Sequence, residues 1–223
     1  MEIVAKQEMD VNSKDADQTD LQRVREAFDA WADRYDDDVS KGGGVVEGYD
    51  RSRLRASRLV SVYQGMHVAD IGIGTGAFAE IFAQQGVQIT GVDLSPRMLE
   101  ICAARHPGWR LLAGDFLHIP VTSASQDLVI SSFAFHELAV ADRAGAINEC
   151  MRVLGSGGRV LLVDIMFEDL PRLQAARERL RDKWDEENYP LFPDLSELAG
   201  QLSLEIRLEV LSDLHGAALL SHR

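Results

Sequence analysis

Val68-Ala69-Asp70-Ile71-Gly72-Ile73-Gly74-Thr75-Gly76 is a short apolar run with an acid two residues before the first of three alternating glycines. Glycines at this density let a chain turn from strand to helix through positive φ. They also leave no Cβ between the backbone and a ligand laid against it. The free amides that open the following helix face the same ligand. The stretch therefore predicts a strand, a sharp bend and a helix, with a nucleotide-like cofactor in the bend.

A glycine-rich bend alone has low specificity, so spacing and context decide the ligand. The glycines at 72, 74 and 76 do not fit the G-x-G-x-x-G register of dinucleotide sites. Val87-Gln88-Ile89-Thr90-Gly91-Val92-Asp93 reads as a second strand ending in an acid, where a ribose diol is gripped in such folds. Ser95 and Pro96 read as the N-cap and first position of a helix carrying Met98, Leu99 and Cys102. A third strand, Trp109 to Leu112, leads into Gly114-Asp115-Phe116, an acid beside an aromatic suited to the edge and face of an adenine.

With these motifs in this order, residues 21 to 223 resemble the class I S-adenosylmethionine-dependent methyltransferases. Asp70 to Gly76, Asp93 and Gly114-Asp115-Phe116 are similar to that family's methionine, ribose and adenine elements. Leu154-Gly155-Ser156-Gly157-Gly158-Arg159-Val160 resembles its L-x-P-G-G turn, with Ser156 in place of proline. Phe28 to Asp36 and Ser131-Ser132-Phe133-Ala134-Phe135-His136-Glu137-Leu138 are most similar to the small bacterial YrrT-type methyltransferases, in which a second histidine usually stands where this chain has Glu137.

The resemblance implies an α/β, Rossmann-like fold: a mostly parallel seven-stranded sheet with one antiparallel strand, helices on both faces and an N-terminal helical lid. The lid is expected over 21–60 and the methyltransferase domain over 61–223. It implies S-adenosylmethionine as cofactor, held by Tyr35, Asp70, Gly72, Gly74, Gly76, Asp93, Leu94, Met98, Asp115, Phe116 and Ser132. Asp93 takes the ribose hydroxyls, Asp115 the adenine amino group, Leu94 and Phe116 the ring faces, and Tyr35 closes over the methionine end. Structural readings stand beside these. Asp93 also suits a helix start, Asp115 a turn, Asp70 the ordering of the glycine loop, and Tyr35 a helix core.

Composition sets outer bounds independently. A chain of 223 residues with 46% hydrophobic content buries one good core. A formal net charge of −13 disfavours nucleic acid and anionic membranes, which want clustered cations. Cys102 and Cys150 lack metal-type spacing and read as buried thiols, so no metal is expected and a cytoplasmic setting follows. Residues 1–20 are polar and acidic, unlike a signal peptide, and are expected to be disordered. No stable membrane association is expected, and the protein is read as a monomer or homodimer.

Along the chain, Leu21, Val24, Phe28, Trp31, Ala32 and Tyr35 recur at helical spacing. Asp36-Asp37-Asp38 and Gly42-Gly43-Gly44 are expected to interrupt this helix, the glycines as a hinge. The arginines at 51, 53, 55 and 58 read as a solvated face of a second segment, Tyr49 to Tyr63. Val68 to Ile71, Leu128 to Ser131 and Val160 to Ile165 have the texture of parallel strands covered on both faces. Leu204 to Val210 alternates like a strand with one wet face, and His215 to Ser221 supplies the last strand. Arg172 to Glu187 reads as one exposed helix anchored by Trp184, followed by the apolar Tyr189-Pro190-Leu191-Phe192.

The expected reaction is in-line methyl transfer to a small-molecule acceptor, for which positioning matters more than catalytic groups. His136, at the carboxyl end of the fourth strand, is the candidate general base, with Glu137 to orient it. Packing at the strand end or shaping of the pocket are its alternatives. Tyr49, His136 and Tyr189 are the candidate acceptor contacts, and Asp164 either aids binding or bonds neighbouring backbone. The competing functions are a quinone-type C-methyltransferase acting on a lipidic acceptor and a non-catalytic S-adenosylmethionine-binding protein.

Overall fold

The computed structural model describes residues 21–223, so the expected tail at 1–20 lies outside the described residues. Three helices come first: α1 (21–31), α2 (Tyr35–Ser40) and α3 (Tyr49–Ser57). Then follow β1 (His67–Ile71), α4 (Ala79–Ala83), β2 (Gln88–Asp93), α5 (Pro96–Arg105), β3 (Arg110–Ala113) and β4 (Gln126–Ser132). The chain ends with α6 (Arg143–Val153), β5 (Leu154–Ile165), α7 (Leu170–Leu180), α8 (Phe192–Gln201), β6 (Leu204–Val210) and β7 (His215–His222).

The strands form a seven-stranded sheet in the order β3-β2-β1-β4-β5-β7-β6. All pairs are parallel except those made by β7, which runs antiparallel to β5 and β6. Strand residues alternate between two cores, as the two-residue period requires. On β5, Leu161, Val163 and Ile165 join Phe78, Phe82 and Leu180 on one face, and Val160 and Leu162 join Ile147, Met151 and Leu195 on the other. Because helices cover both faces, the central strands β1, β4 and β5 carry nearly continuous buried runs, while β6 at the edge alternates. Strand order reverses between β1 and β4, and the carboxyl ends there open the crevice in which such sheets bind ligands.

Two sequence expectations change in the N-terminal segment. The first helix breaks at 32–34, and Asp36, Asp37 and Asp38 form the first turn of α2, where the helix dipole favours negative charge. Gly42, Gly43 and Gly44 do break the chain, all at positive φ. A Cβ on Gly44 would lie 2.6 Å from the Lys183 carbonyl oxygen, so close approach as well as conformation demands glycine there. A third change concerns the charged run after β5. α7 stops at Leu180 and Arg181 adopts φ 47°, so Trp184 packs from the following loop, 5.2 Å from the Tyr189 ring. Cys102 and Cys150 are buried and unpaired, and burial pushes both thiols up to about 12.

One buried histidine ties the N-terminal segment to the sheet. His215 opens β7 with Nε2 2.8 Å from the Val45 carbonyl oxygen and Nδ1 2.8 Å from the Ser52 hydroxyl. A carbonyl only accepts, so Nε2 carries the proton; burial favours the neutral imidazole, in which Nδ1 accepts from the Ser52 hydroxyl. Burial holds its pKa below the ordinary histidine value. An unfolded chain, with its histidine near pKa ~6.5, takes up a proton the native state refuses. Stability is therefore present above about pH 6.5 and falls as the pH drops toward the depressed native value, by at most about 1.4 kcal/mol per pH unit. Urea unfolding at pH 8 and pH 5.5 checks this: the native chain should lose more stability on acidification than His215→Gln, and equal losses would contradict it.

Candidate functional site

The bend after β1 is built as its glycines suggest. Gly72, Gly74 and Gly76 have φ of 73°, 54° and 94°. A Cβ on Gly72 would lie 2.6 Å from the Ala134 side chain, so the loop and the end of β4 meet only because position 72 is bare. The Gly72 and Ile73 amides donate to the Val92 carbonyl at 2.8 and 3.1 Å. Gly74 and Ser95 donate to the two carboxylate oxygens of Asp93 at 2.7 and 2.9 Å. Burial raises the Asp93 pKa against the pull of these amides. Gly76 faces the other way, packed under Trp109, Cys102 and His106.

A cleft of ≈ 800 Å³ lies over this bend. Its floor and sides are Ile71, Gly72 and Gly74, then Asp93, Leu94 and Met98, then Gly114 to Leu117, with Ser132 to Ala134, Glu137 and Leu138 at the end of β4. Leu21, Val24, Phe28 and Tyr35 close it from the N-terminal side. The structure thus brings Tyr35, Gly72, Gly74, Asp93, Leu94, Met98, Asp115, Phe116 and Ser132 together, while Asp70 and Gly76 stand behind the surface. Asp115 also serves its turn, since its Oδ1 accepts from the Leu117 and His118 amides at 2.7 and 2.9 Å. Asp70 is buried beneath the loop with Oδ1 unpartnered among the described residues. Burial first, then Asp93, hold its pKa well above the usual carboxylate range, and Arg53 opposes them.

Arg53 is the residue the sequence reading missed. It is 7% exposed, not solvated, and its guanidinium carbon lies 4.2 Å from the centre of the Tyr49 ring. One arm pairs with Asp50, whereas Nε and Nη1 are buried without a hydrogen-bond partner among the described residues. The Tyr49 hydroxyl is 3.3 Å from that of Tyr35, so Arg53, Tyr49 and Tyr35 form a chain leading to the cleft wall. A signal was present: Tyr49, Ser52, Arg53 and Ala56 fall on one helical face, and all four are buried.

A second cavity of ≈ 460 Å³ adjoins the cleft and holds His136, Glu137, Asp185, Glu187 and Tyr189. Phe133, at φ 53°, turns the chain out of β4 and sends residues 135–137 across the mouth as a short 3-10 turn. There the fully buried Asp164 on β5 accepts from the His136 amide at 3.0 Å and from its Nδ1 at 2.5 Å, as well as from the Ile165 amide at 2.8 Å. Asp164, not Glu137, orients the ring. The other ring nitrogen, Nε2, faces Glu187 at 3.0 Å and Glu137 at 3.6 Å. Burial opposes the imidazolium, but Asp164, Glu187 and Glu137 outweigh it and hold the His136 pKa well above the usual histidine range. Burial pushes Glu137 up to about 7. Tyr189 donates to the Asp185 carbonyl at 3.0 Å, and Tyr49 is not a wall of this cavity but packs beside it on Phe133.

Comparison with known proteins agrees with this geometry. Residues 69–162 match a family model described as a methyltransferase domain. An uncharacterized methyltransferase of Geobacillus thermodenitrificans is 31% identical over 185 residues, covering 77% of this chain and 84% of that protein. The uncharacterized methyltransferase YrrT of Halobacillus halophilus is 28% identical, covering 83% and 91%. The chain belongs to this methyltransferase family. In fold it is similar to a TehB-like SAM-dependent methyltransferase of Corynebacterium glutamicum, at TM-score 0.63 and 19% identity over 88% of this chain and 98% of that one.

In this methyltransferase the N-terminal helices are latched over the bend by acids on one side of α1 and α2. Asp29 accepts from the Ser95 hydroxyl at 2.5 Å, and the same hydroxyl caps α5 by accepting from the Met98 amide. Asp36 accepts from Thr75 at 2.7 Å and pairs with Arg105, while Asp33 pairs with Arg97 at 2.7 Å. The roof is thus bound to the glycine bend itself and to the helix after β2. Hydrogen bonds to a charged group contribute roughly 1.5–3 kcal/mol each. Asp29→Asn with Asp36→Asn should therefore raise amide hydrogen exchange across 21–40 by roughly ten-fold or more, with exchange in the central strands unchanged. Unaltered exchange in 21–40 would show that the latch does not hold the roof.

Proposed function

We propose that the protein transfers the methyl group of S-adenosylmethionine to a small-molecule acceptor, with the donor in the roofed cleft and the acceptor in the adjoining cavity. The observation that carries this reading is the adjacency of the two spaces, since Phe28, Tyr35, Phe133 and Glu137 line both. When bound, S-adenosylmethionine supplies a sulfonium methyl group open to in-line attack.

The residues present fit that donor. At Gly74, on the cleft wall, an added Cβ would meet nothing within 4 Å, so the bare position leaves room for a ligand against the backbone. Each Asp93 oxygen accepts one amide and keeps a second lone pair for a ribose diol. The second oxygen of Asp115, with Leu94 and Phe116, suits an adenine edge and its faces. Asp70 acts from behind, through the loop it supports. At the other end, the unpaired nitrogens of Arg53, carried on Tyr49 and Tyr35, suit the methionine carboxylate. The helices over 21–60 act as a lid that excludes water.

On the acceptor side, His136 and Tyr189 form the wall and Asp164 is a positioning residue for the imidazole. Because Asp164 and Glu187 hold His136 as the imidazolium, the acceptor's proton leaves toward the carboxylates Glu187 and Glu137 and not the ring. Alignment of acceptor and donor supplies much of the acceleration. Among the described residues no helix is long and apolar enough to cross a membrane.

Two measurements test the reading. Metabolites from the source cell's extract, incubated with the enzyme and methyl-labelled S-adenosylmethionine, should yield one small molecule carrying the labelled methyl, checked by mass spectrometry. Binding of S-adenosylhomocysteine without any labelled product would favour the non-catalytic alternative. Arg53→Met should weaken S-adenosylhomocysteine by roughly 10- to 100-fold while leaving methylthioadenosine, which lacks the carboxylate, within about two-fold. Equal weakening of both ligands would remove the carboxylate from Arg53.

A further inference from the structure

The wall of the second cavity has the composition and spacing of a metal site. His136 Nε2, a Glu137 carboxylate oxygen and a Glu187 carboxylate oxygen lie within 4.8 Å of one another. Nε2 is 3.0 Å from Glu187 and 3.6 Å from Glu137. Ligands bound at about 2.1 Å stand about 3.0 Å apart at right angles and about 3.4 Å apart in a tetrahedron. The two spacings from Nε2 are close to those of neighbouring ligands on one ion.

A second observation, independent of the carboxylates on the cavity wall, concerns how the histidine is presented. Asp164 comes from another strand, is 0% exposed, and fixes the ring by bonding both its Nδ1 and its backbone amide. A ligating imidazole is held in this way, its far nitrogen donated to a carboxylate so that the near one faces the ion. Three protein donors leave coordination positions open, the pattern of a site that works on a ligand rather than one that only supports the fold. The open side is the cavity bounded by Tyr189, Phe28 and Tyr35, next to the proposed donor cleft.

We infer that His136, Glu137 and Glu187 bind a first-row divalent metal ion, with Asp164 as the positioning residue behind the histidine. One imidazole with two carboxylates suits Mn²⁺, Fe²⁺, Co²⁺ or Zn²⁺ better than the all-oxygen sites of Ca²⁺ and Mg²⁺. The ion's role, unlike the site itself, rests on the reading of this cavity as the acceptor's. An acceptor hydroxyl or thiol on the open side becomes more acidic when it coordinates. With the ion in place His136 is a ligand, its Nε2 proton released to solvent as the ion binds, and the coordinated acceptor, made more acidic, gives its own proton to solvent without a protein base.

The test is Co²⁺ titrated into chelator-stripped full-length protein, followed by calorimetry and visible absorption, with S-adenosylhomocysteine binding measured in parallel. The expected result is about one equivalent of Co²⁺ per chain with new absorption bands. His136→Gln and Glu187→Gln should each weaken it at least roughly ten-fold, and Asp164→Asn roughly 10- to 100-fold. Glu187 lies in the loop between α7 and α8, so its variant guards against misfolding, and retained S-adenosylhomocysteine binding shows that the cleft is intact. Absence of stoichiometric Co²⁺ binding, or binding unchanged in His136→Gln and Glu187→Gln, overturns the site. Normal Co²⁺ binding with no affinity for S-adenosylhomocysteine would leave the site standing and sink only the donor reading.

Discussion

The hydrogen bond from the Gly74 amide to the Asp93 carboxylate, 2.7 Å long, ties the bend after β1 to the end of β2, and the rest of the site is arranged around it. It requires a left-handed residue at 74, at φ 54°, and a bare one at 72, where any side chain would strike Ala134. The same carboxylate receives the Ser95 amide, which places the start of α5, and the Ser95 hydroxyl in turn receives the roof through Asp29. Loop, helix and cover are thus set by one strand-end acid and its immediate neighbours.

A second acid does the corresponding work on the other side of the crevice. Asp164 ends β5 fully buried, and it both anchors the turn after β4 and aims the His136 ring into the second cavity. The cleft and the neighbouring cavity are therefore walled from strand ends on either side of the point where the sheet order reverses. Rings from the N-terminal helices, Phe28 and Tyr35, close both spaces at once. Movement of that cover would change access to both spaces together, which couples water exclusion to the filling of the cleft.

What the sequence disclosed was the part whose physics is local. Alternating glycines, an acid closing a strand, and a serine-proline helix start each act within a few residues, and the bend, Asp93 and the Ser95 cap were all legible. The fold class followed from the same elements in order. Asp36 to Asp38 misled because acids serve both loops and helix first turns, and only the break at 32–34 shows which applies. The charged run from Arg172 hid the stop at Leu180, since nothing but the left-handed Arg181 marks it. Arg53 went unread although its helical-face signal was local, whereas the pairing of Asp164 and Glu187 with His136 escaped for a different reason. Their meaning comes from partners far along the chain: Asp164 lies 28 residues from His136, and Glu187 meets the same ring from the loop after α7. Spacing in sequence carries no trace of such contacts.

The central claim is that the alternating-glycine bend and the carboxylates around it receive an adenosyl sulfonium and not a dinucleotide. Competition calorimetry on the purified chain tests it most directly. The account predicts that S-adenosylhomocysteine binds with about one site per chain and that a large excess of NADH does not displace it. Tight binding of NADH, with no heat from S-adenosylhomocysteine, would contradict it.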